Sequence, residues 1–147
     1  SKPVRVSAKL ADSFVNQRKD WILDAIEKLK KKPQKILAHY SVQDFKENKG
    51  KALEIVKERI AYLNQFYNFE IRKVSIKNQK SRWGSCSVKK NLSFNYKVLF
   101  LPEELRDYII VHEICHLKEM NHSKRFWSLV AEQVPDYKTR QRKIKLY

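Results

Sequence analysis

Two histidines four positions apart, with a glutamate directly after the first, are the residues of this sequence best suited to chemistry. His112, Glu113 and His116 form an HExxH motif. In a helix of about 3.6 residues per turn, positions i and i+4 project from one face, so the two imidazoles can bind one metal ion. Glu113 lies roughly a third of a turn away, where it can reach water at that ion without being a ligand. The motif predicts a zinc-dependent hydrolase with Glu113 as the catalytic acid/base.

A catalytic zinc site usually has three protein ligands and one open position, so a third ligand must lie outside the motif. His122 is the leading candidate, because histidine is a common zinc ligand and this one is close in sequence. A continued helix would carry it about 9 Å beyond His116, so the chain must turn back. Asn121 suits that turn, since Asn tolerates the left-handed conformation that ends helices. Glu132, on the next predicted helix, is the alternative third ligand.

The helix that carries the motif should be the buried centre of the domain. Pro102 lies at its start, where proline is favoured. Apolar residues surround this helix on nearly every side, which is typical of a buried helix: Leu105, Tyr108, Ile109, Ile110, Val111, Ile114 and Leu117. A strand is predicted over 69–76, followed by a hairpin with strands over 81–87 and 92–96. The motif helix would then pack against a small sheet.

Further helices are predicted on both sides of this core. Apolar residues recur at helical spacing over 11–32 and over 44–66. Downstream of the motif, Ser123 can cap a helix over 123–134 through its side-chain oxygen. The pattern therefore predicts two helices before the sheet and one after the motif, and the basic tail after Tyr137 is predicted to form a last short helix.

The composition indicates one globular domain. The chain has 147 residues, of which 42% are hydrophobic, which is enough for a core. We expect one domain over 1–147, mainly helical at 1–67 and with the catalytic core at 68–147. The start at Ser1, without an initiator Met, indicates a truncated or processed N-terminus. No apolar run reaches the about 20 residues that span a bilayer, and the low cysteine content favours a reduced, cytoplasmic location.

The net charge of the chain is strongly positive. Lys and Arg number 32 and Asp and Glu 16, which gives +16. Such an excess attracts polyanions, so nucleic acid is a candidate partner beside a protein or peptide substrate. A lysine-rich surface that maintains solubility is the simpler interpretation, because the sequence carries no nucleic-acid-binding motif.

Several short segments, in their order along the chain, resemble the YgjP-like (DUF45) family of zinc metallopeptidases. They lie within residues 80–137: 82–87, 92–95, 101–102, 107–117, 121–123, 126–127 and 135–137. The resemblance implies an α+β, zincin-like metallopeptidase domain with a small antiparallel sheet and a buried HExxH helix, preceded by two helices. It implies Zn²⁺ bound by His112, His116 and His122, with Glu113 as the catalytic acid/base. The family is also similar to SprT/Wss1-like (WLM) proteases, some of which degrade proteins crosslinked to DNA.

Four further residues are candidates for binding substrate. The strand over 82–87 can present backbone groups to an extended peptide, which would bind as an added strand. Arg82, Asn95 and Tyr137 are alternatives for stabilising the oxyanion, and the sequence does not choose among them. Trp83 is either a residue of the cleft or a residue of the core.

Three functions remain open at this stage. The first is a zinc peptidase that hydrolyses peptide bonds by metal-activated water, with Glu113 as general base. The second is a metal-dependent hydrolase of a non-peptide bond. The third is a basic nucleic-acid-associated module, either with a structural zinc or with a protease activity on DNA-bound proteins.

Overall fold

The structure is a computed structural model that describes residues 41–147. The helix predicted over 11–32 lies outside these residues. The described part contains four α-helices and a three-stranded sheet, which confirms the predicted α+β class. None of the described helices is long and apolar enough to cross a membrane. Cys86 and Cys115 are both free thiols.

Helix α1 spans Val42–Tyr67, close to the predicted 44–66. Ser41 begins it with a capping box, in which its hydroxyl oxygen accepts a hydrogen bond from Asp44 N and the Asp44 carboxylate accepts one from Ser41 N. Asn68 ends it in the left-handed conformation, with φ at 52°. Four residues at spacings of three or four positions form the buried face toward the core: Ala52, Val56, Ile60 and Leu63.

The sheet consists of β1 (Lys73–Lys77), β2 (Gly84–Cys86) and β3 (Asn91–Asn95), in the order β1-β3-β2. The predicted hairpin is confirmed, because β2 and β3 pair antiparallel with Ser85 opposite Ser93. β1, however, pairs with β3 in parallel, so the sheet is mixed and the prediction of a purely antiparallel sheet was wrong. The reason is that β3 inserts between the two earlier strands after the hairpin has reversed the chain. This order leaves β2 at an edge.

Helix α2 spans Glu103–Cys115 and carries the HExxH motif at its end. It is the buried centre of the described part, as predicted, with contacts to α1, to β2 and to both later helices. Its buried residues include Glu113 as well as seven others: Leu105, Tyr108, Ile109, Ile110, Val111, Ile114 and Cys115. Glu104, in the first turn, faces the positive end of the helix dipole.

Two helices complete the fold, α3 over Lys124–Gln133 and α4 over Tyr137–Lys143, and a 3-10 turn follows at Ile144–Leu146. Ser123 caps α3 as predicted, since its hydroxyl accepts a hydrogen bond from Phe126 N at 3.3 Å. The cap fixes the start of α3 just beyond the turn that leaves α2.

An ion pair ties the central helix to α1. Arg59 on α1 donates two hydrogen bonds to the Asp107 carboxylate, from Nε to Oδ1 at 2.9 Å and from Nη2 to Oδ2 at 2.5 Å. Their side chains are only 23% and 16% exposed. The hydrogen bonds to Asp107 raise the pKa of Arg59. A bidentate, partly buried pair of this kind is stronger than an exposed one, so it should help to fix the position of α2.

We expect Asp107→Asn to lower the free energy of unfolding by about 1–3 kcal/mol, because the Arg59 guanidinium would lose its closer, bidentate counter-charge and keep only Glu103, whose Oε1 lies 3.5 Å from Nη2. Thermal denaturation should then show a melting temperature several degrees below that of the wild type. Glu54→Gln is the control, since Glu54 is an exposed acid on the same helix as Arg59 and makes no ion pair within the described residues. Equal melting temperatures for the two variants would contradict the prediction.

Candidate active site

The three histidines predicted as metal ligands lie together. One ring nitrogen from each of His112, His116 and His122 lies within 4.8 Å of the others. The Nε2 atoms of His112 and His122 are 3.0 Å apart. Two nitrogens about 2.1 Å from one tetrahedral zinc ion would be roughly 3.4 Å apart, so the spacing fits a single ion. Among residues 41–147 no other group of His, Cys, Asp or Glu has this spacing, and Glu132 is not part of it.

The chain brings His122 back by leaving the helix earlier than predicted. His116 is already the C-cap of α2 and is the first of three turn residues, 116–118. Asn121 is not in the left-handed conformation, so the prediction of its role in the turn was wrong. Only two described residues other than glycine have a positive φ, Asn68 and Lys90. The reversal therefore comes from a short series of turns rather than from one left-handed residue.

Aromatic rings surround the metal-site histidines. His122 is exposed, and the Trp127 ring stacks with it at a centroid distance of 5.6 Å and an angle of 22°. Tyr137 stacks with Trp127 at 4.9 Å and 14°, and Phe126 stacks with His116 at 4.5 Å and 29°. Sequence reasoning assigned no role to Phe126 and Trp127. The available signal was an adjacent aromatic pair one helical turn after His122, where α3 begins.

The electrostatics of the site keep the buried imidazoles neutral, which is the form that binds metal. Burial lowers the pKa of His112 to about 3, and repulsion from His116 and His122 adds to the shift. Burial also lowers the pKa of His116. Nδ1 of His116 lies 3.0 Å from the carbonyl oxygen of Glu119, a contact that would leave Nε2 free for an ion. Nδ1 of His112 is buried without a hydrogen-bond partner in the described part.

Glu113 lies between the histidines and strand β2 of the sheet. Its side chain is buried, and burial raises its pKa to about 8 while the nearby Arg82 guanidinium opposes the shift. Gly84 on β2 lies next to this side chain. A Cβ atom added at Gly84 would lie 2.6 Å from Cγ of Glu113, so the backbone of β2 packs directly against this side chain. A carboxyl group held in this way is suited to taking up and returning a proton near neutral pH.

A cavity of about 250 Å³ opens beside Glu113. The segment at the start of β2, helix α2 and the 3-10 turn after α4 form its walls. Eight residues line it: Arg82, Trp83, Gly84, Tyr108, Ile109, His112, Glu113 and Ile144. Two of the predicted substrate residues, Arg82 and Trp83, thus lie at the same cavity as Glu113 and His112. Trp83 also packs against the core, and its role in binding substrate stays a prediction.

Asn95 and Tyr137 are placed differently from Arg82 and Trp83. The buried Asn95 side chain donates hydrogen bonds to the carbonyl oxygens of Gln79 at 2.7 Å and Arg82 at 3.2 Å, and accepts one from Lys97 N. These contacts fix the loop before β2, so Asn95 helps to position the backbone of Arg82. Tyr137 is half-buried at the start of α4, in its stack with Trp127.

Contact with nucleic acid stays a prediction. The chain carries a net charge of +16. Several basic side chains on the last two helices are exposed, namely Lys124, Arg125, Lys138 and Arg142. An exposed basic surface attracts polyanions, but it serves solubility equally well.

A family model for the YgjP-like metallopeptidase domain matches residues 42–147. The metallopeptidase zymogen of Pyrococcus abyssi abylysin is similar, with 27% identity, a TM-score of 0.56 and coverage of 60% of this chain and 90% of that one. The metallopeptidase zymogen of Methanocaldococcus jannaschii jannalysin shows 29% identity, a TM-score of 0.54 and coverage of 60% and 92%. No curated protein matches the chain. The matched family segment contains every residue of the site described above.

Proposed function

Because the chain belongs to the YgjP-like metallopeptidase family, as its segments predicted, we propose that it is a zinc-dependent peptidase with Glu113 as general base. The observation that carries the proposal is the group of three histidines beside Glu113, at the edge of a cavity. The resemblance to SprT/Wss1-like proteases stays a prediction.

Zinc is the proposed metal because three neutral nitrogen donors with an open fourth position are typical of catalytic zinc sites. His112, His116 and His122 would hold it. When bound, zinc lowers the pKa of a water molecule to near neutrality and polarises the substrate carbonyl. The lowered pKa of His112 and of His116 supports the binding of a metal, because it favours the neutral imidazole, whose unprotonated ring nitrogen can bind an ion.

Glu113 would take the proton of the attacking water and return it to the leaving amine. A cation nearby favours the ionised form of a carboxyl group, so occupancy of the site would lower the pKa of Glu113 from about 8 toward neutrality. Arg82 is the proposed oxyanion stabiliser, because its guanidinium lies at the same cavity as Glu113. Tyr137 is the alternative, whereas the amide of Asn95 is already engaged in the loop before β2.

The edge of the sheet is the proposed docking site for the substrate backbone. β2 is one of the two outer strands in the order β1-β3-β2, and its free edge has no partner strand among the described residues. Unpaired backbone groups of an edge strand can bind an extended peptide as an additional strand. Since Gly84 of β2 contacts Glu113, a peptide bound in this way would pass close to the catalytic carboxylate.

The proposal predicts that cleavage depends on the metal. Protein stripped with a chelator and dialysed should cleave unfolded casein at least about 100-fold more slowly than the zinc-loaded protein, because a metal contributes several kcal/mol of transition-state stabilisation. Added zinc should restore the rate. Gel electrophoresis and mass spectrometry of the fragments provide the measurement.

His122→Ala is the matched variant for this experiment. It should bind zinc more weakly and recover little activity when zinc is added, since one of three ligands is missing. Equal cleavage by the stripped and loaded protein would overturn the proposal. Hydrolysis of simple amides without cleavage of any peptide would favour the non-peptide hydrolase instead, and a rate increase on adding DNA would link the net charge to the activity.

A further inference from the structure

We propose that the cavity beside Glu113 binds a large apolar side chain of the substrate, and that Ile144 determines which sizes of side chain it admits. The inference rests on the proposed peptidase function, to which it adds a substrate class. It concerns the residue next to the scissile bond, because the cavity wall includes both Glu113 and the metal-site residue His112.

The volume of the cavity suits one side chain. Pockets that enclose a whole drug-sized molecule measure about 300–1,000 Å³, whereas this cavity measures about 250 Å³. A substrate that extends beyond it must therefore lie outside, along the surface. This agrees with a peptide that runs along the β2 edge and inserts one side chain.

The chemistry of the wall favours an apolar occupant. Trp83, Ile109 and Ile144 contribute apolar surface, and Ile109 is only 4% exposed. The charged groups at the cavity are the exposed Arg82 and the carboxyl of Glu113. A charged side chain of either sign would therefore face one group of like charge and one of opposite charge and gain little, while an apolar one gains from leaving water.

Ile144 contributes to the cavity wall from the 3-10 turn after α4 and is held in place by α4. Arg140 Nη1 donates a hydrogen bond to the carbonyl oxygen of Glu104 at 2.8 Å, and Lys143 Nζ donates one to its carboxylate at 3.0 Å. These contacts fasten α4 to the start of α2. Ile144 follows directly and packs against the core as a half-buried residue. Its side chain can therefore be changed without altering the metal ligands or Glu113.

The test uses zinc-loaded protein and a peptide set that differs only in the residue next to one cleavage site. The wild type should cleave beside Leu or Phe with a kcat/KM about 10- to 200-fold above that for Ala, Asp or Lys. Ile144→Ala should shift the preference toward Trp, and Ile144→Phe toward Ala and Val. Leu146→Ala is the matched control, because Leu146 lies in the same turn, is 46% exposed and does not line the cavity.

Calorimetry with short peptide hydroxamates that carry Leu, Phe, Ala or Asp measures the affinity of the cavity for each side chain without turnover. The Leu and Phe compounds should bind most tightly, and the Ile144 variants should shift that ranking in the same direction as cleavage. Cleavage without side-chain preference, together with equal hydroxamate affinities, would overturn the inference and leave the peptidase intact. The expected ranking without any peptide cleavage would support the apolar cavity and overturn the proposed function.

Discussion

Glu113→Gln should lower kcat/KM for peptide cleavage by about 10²–10⁴-fold, the usual contribution of general acid–base catalysis. Gln fills nearly the same space but cannot take a proton from water. The zinc affinity of the variant should stay close to that of the wild type, because residue 113 does not supply one of the three nitrogen donors. The measurements are kcat/KM of the zinc-loaded protein and zinc affinity by competition with a chelating indicator.

Glu132→Gln is the matched control for this variant, since Glu132 is an exposed carboxyl group outside the histidine group. It should retain both cleavage and zinc affinity. Full activity in Glu113→Gln would overturn the role of Glu113 as general base. A loss of zinc affinity in Glu132→Gln would instead revive Glu132 as the third ligand.

The metal-free form offers an independent check on Glu113. Burial raises the pKa of this carboxyl from 4.5 to about 8, so the folded protein holds a proton that the unfolded chain releases. The contribution of this carboxyl group to the free energy of unfolding is fully present below about pH 4.5 and is lost as the pH rises through about 8. Gln has no proton to lose. The stability of Glu113→Gln relative to the wild type should therefore increase between about pH 5 and pH 8 in urea denaturation without metal.

The grouping of the three histidines could be predicted from the sequence because the geometry of the motif is local. The helical period places His112 and His116 on one face, and the usual ligand number of zinc required a third residue nearby. The path to His122 could not be predicted in the same way. It depends on turns at 116–118 and on stacking with Trp127, which belongs to another helix.

The sheet shows the same division between local and distant information. The hairpin between β2 and β3 joins neighbouring segments, so the sequence pattern predicts its pairing. The parallel pairing of β1 with β3 joins segments separated by another strand, and alternation of apolar residues does not encode a partner or a direction. Asn95 illustrates the limit for polar residues, because its position on β3 does not reveal that its amide donates hydrogen bonds to the loop before β2.

The contact between Gly84 and Glu113 is likewise invisible in the sequence, and it leads to the second large effect. Gly84→Ala should lower kcat/KM for peptide cleavage by about 10²-fold, because a misplacement of about 1 Å in an active site costs that much. The added Cβ would lie 2.6 Å from Cγ, 2.7 Å from Oε1 and 2.8 Å from Cδ of Glu113. Since Cγ is not the end of the side chain, rotation of the carboxyl group cannot relieve the collision. Either β2 or Glu113 must move.

The effect of the collision with Glu113 on cleavage can be separated from any effect of alanine on the backbone conformation. No glycine among the described residues has a positive φ, so alanine is allowed at Gly84 and only the contact opposes it. Gly50→Ala is the matched control, because a Cβ there meets no atom within 4 Å and should leave cleavage unchanged. Zinc affinity should persist in both variants, since neither change touches a histidine. Wild-type cleavage in Gly84→Ala would show that the packing of β2 does not position Glu113, whereas loss of zinc affinity would place the damage in the metal site itself.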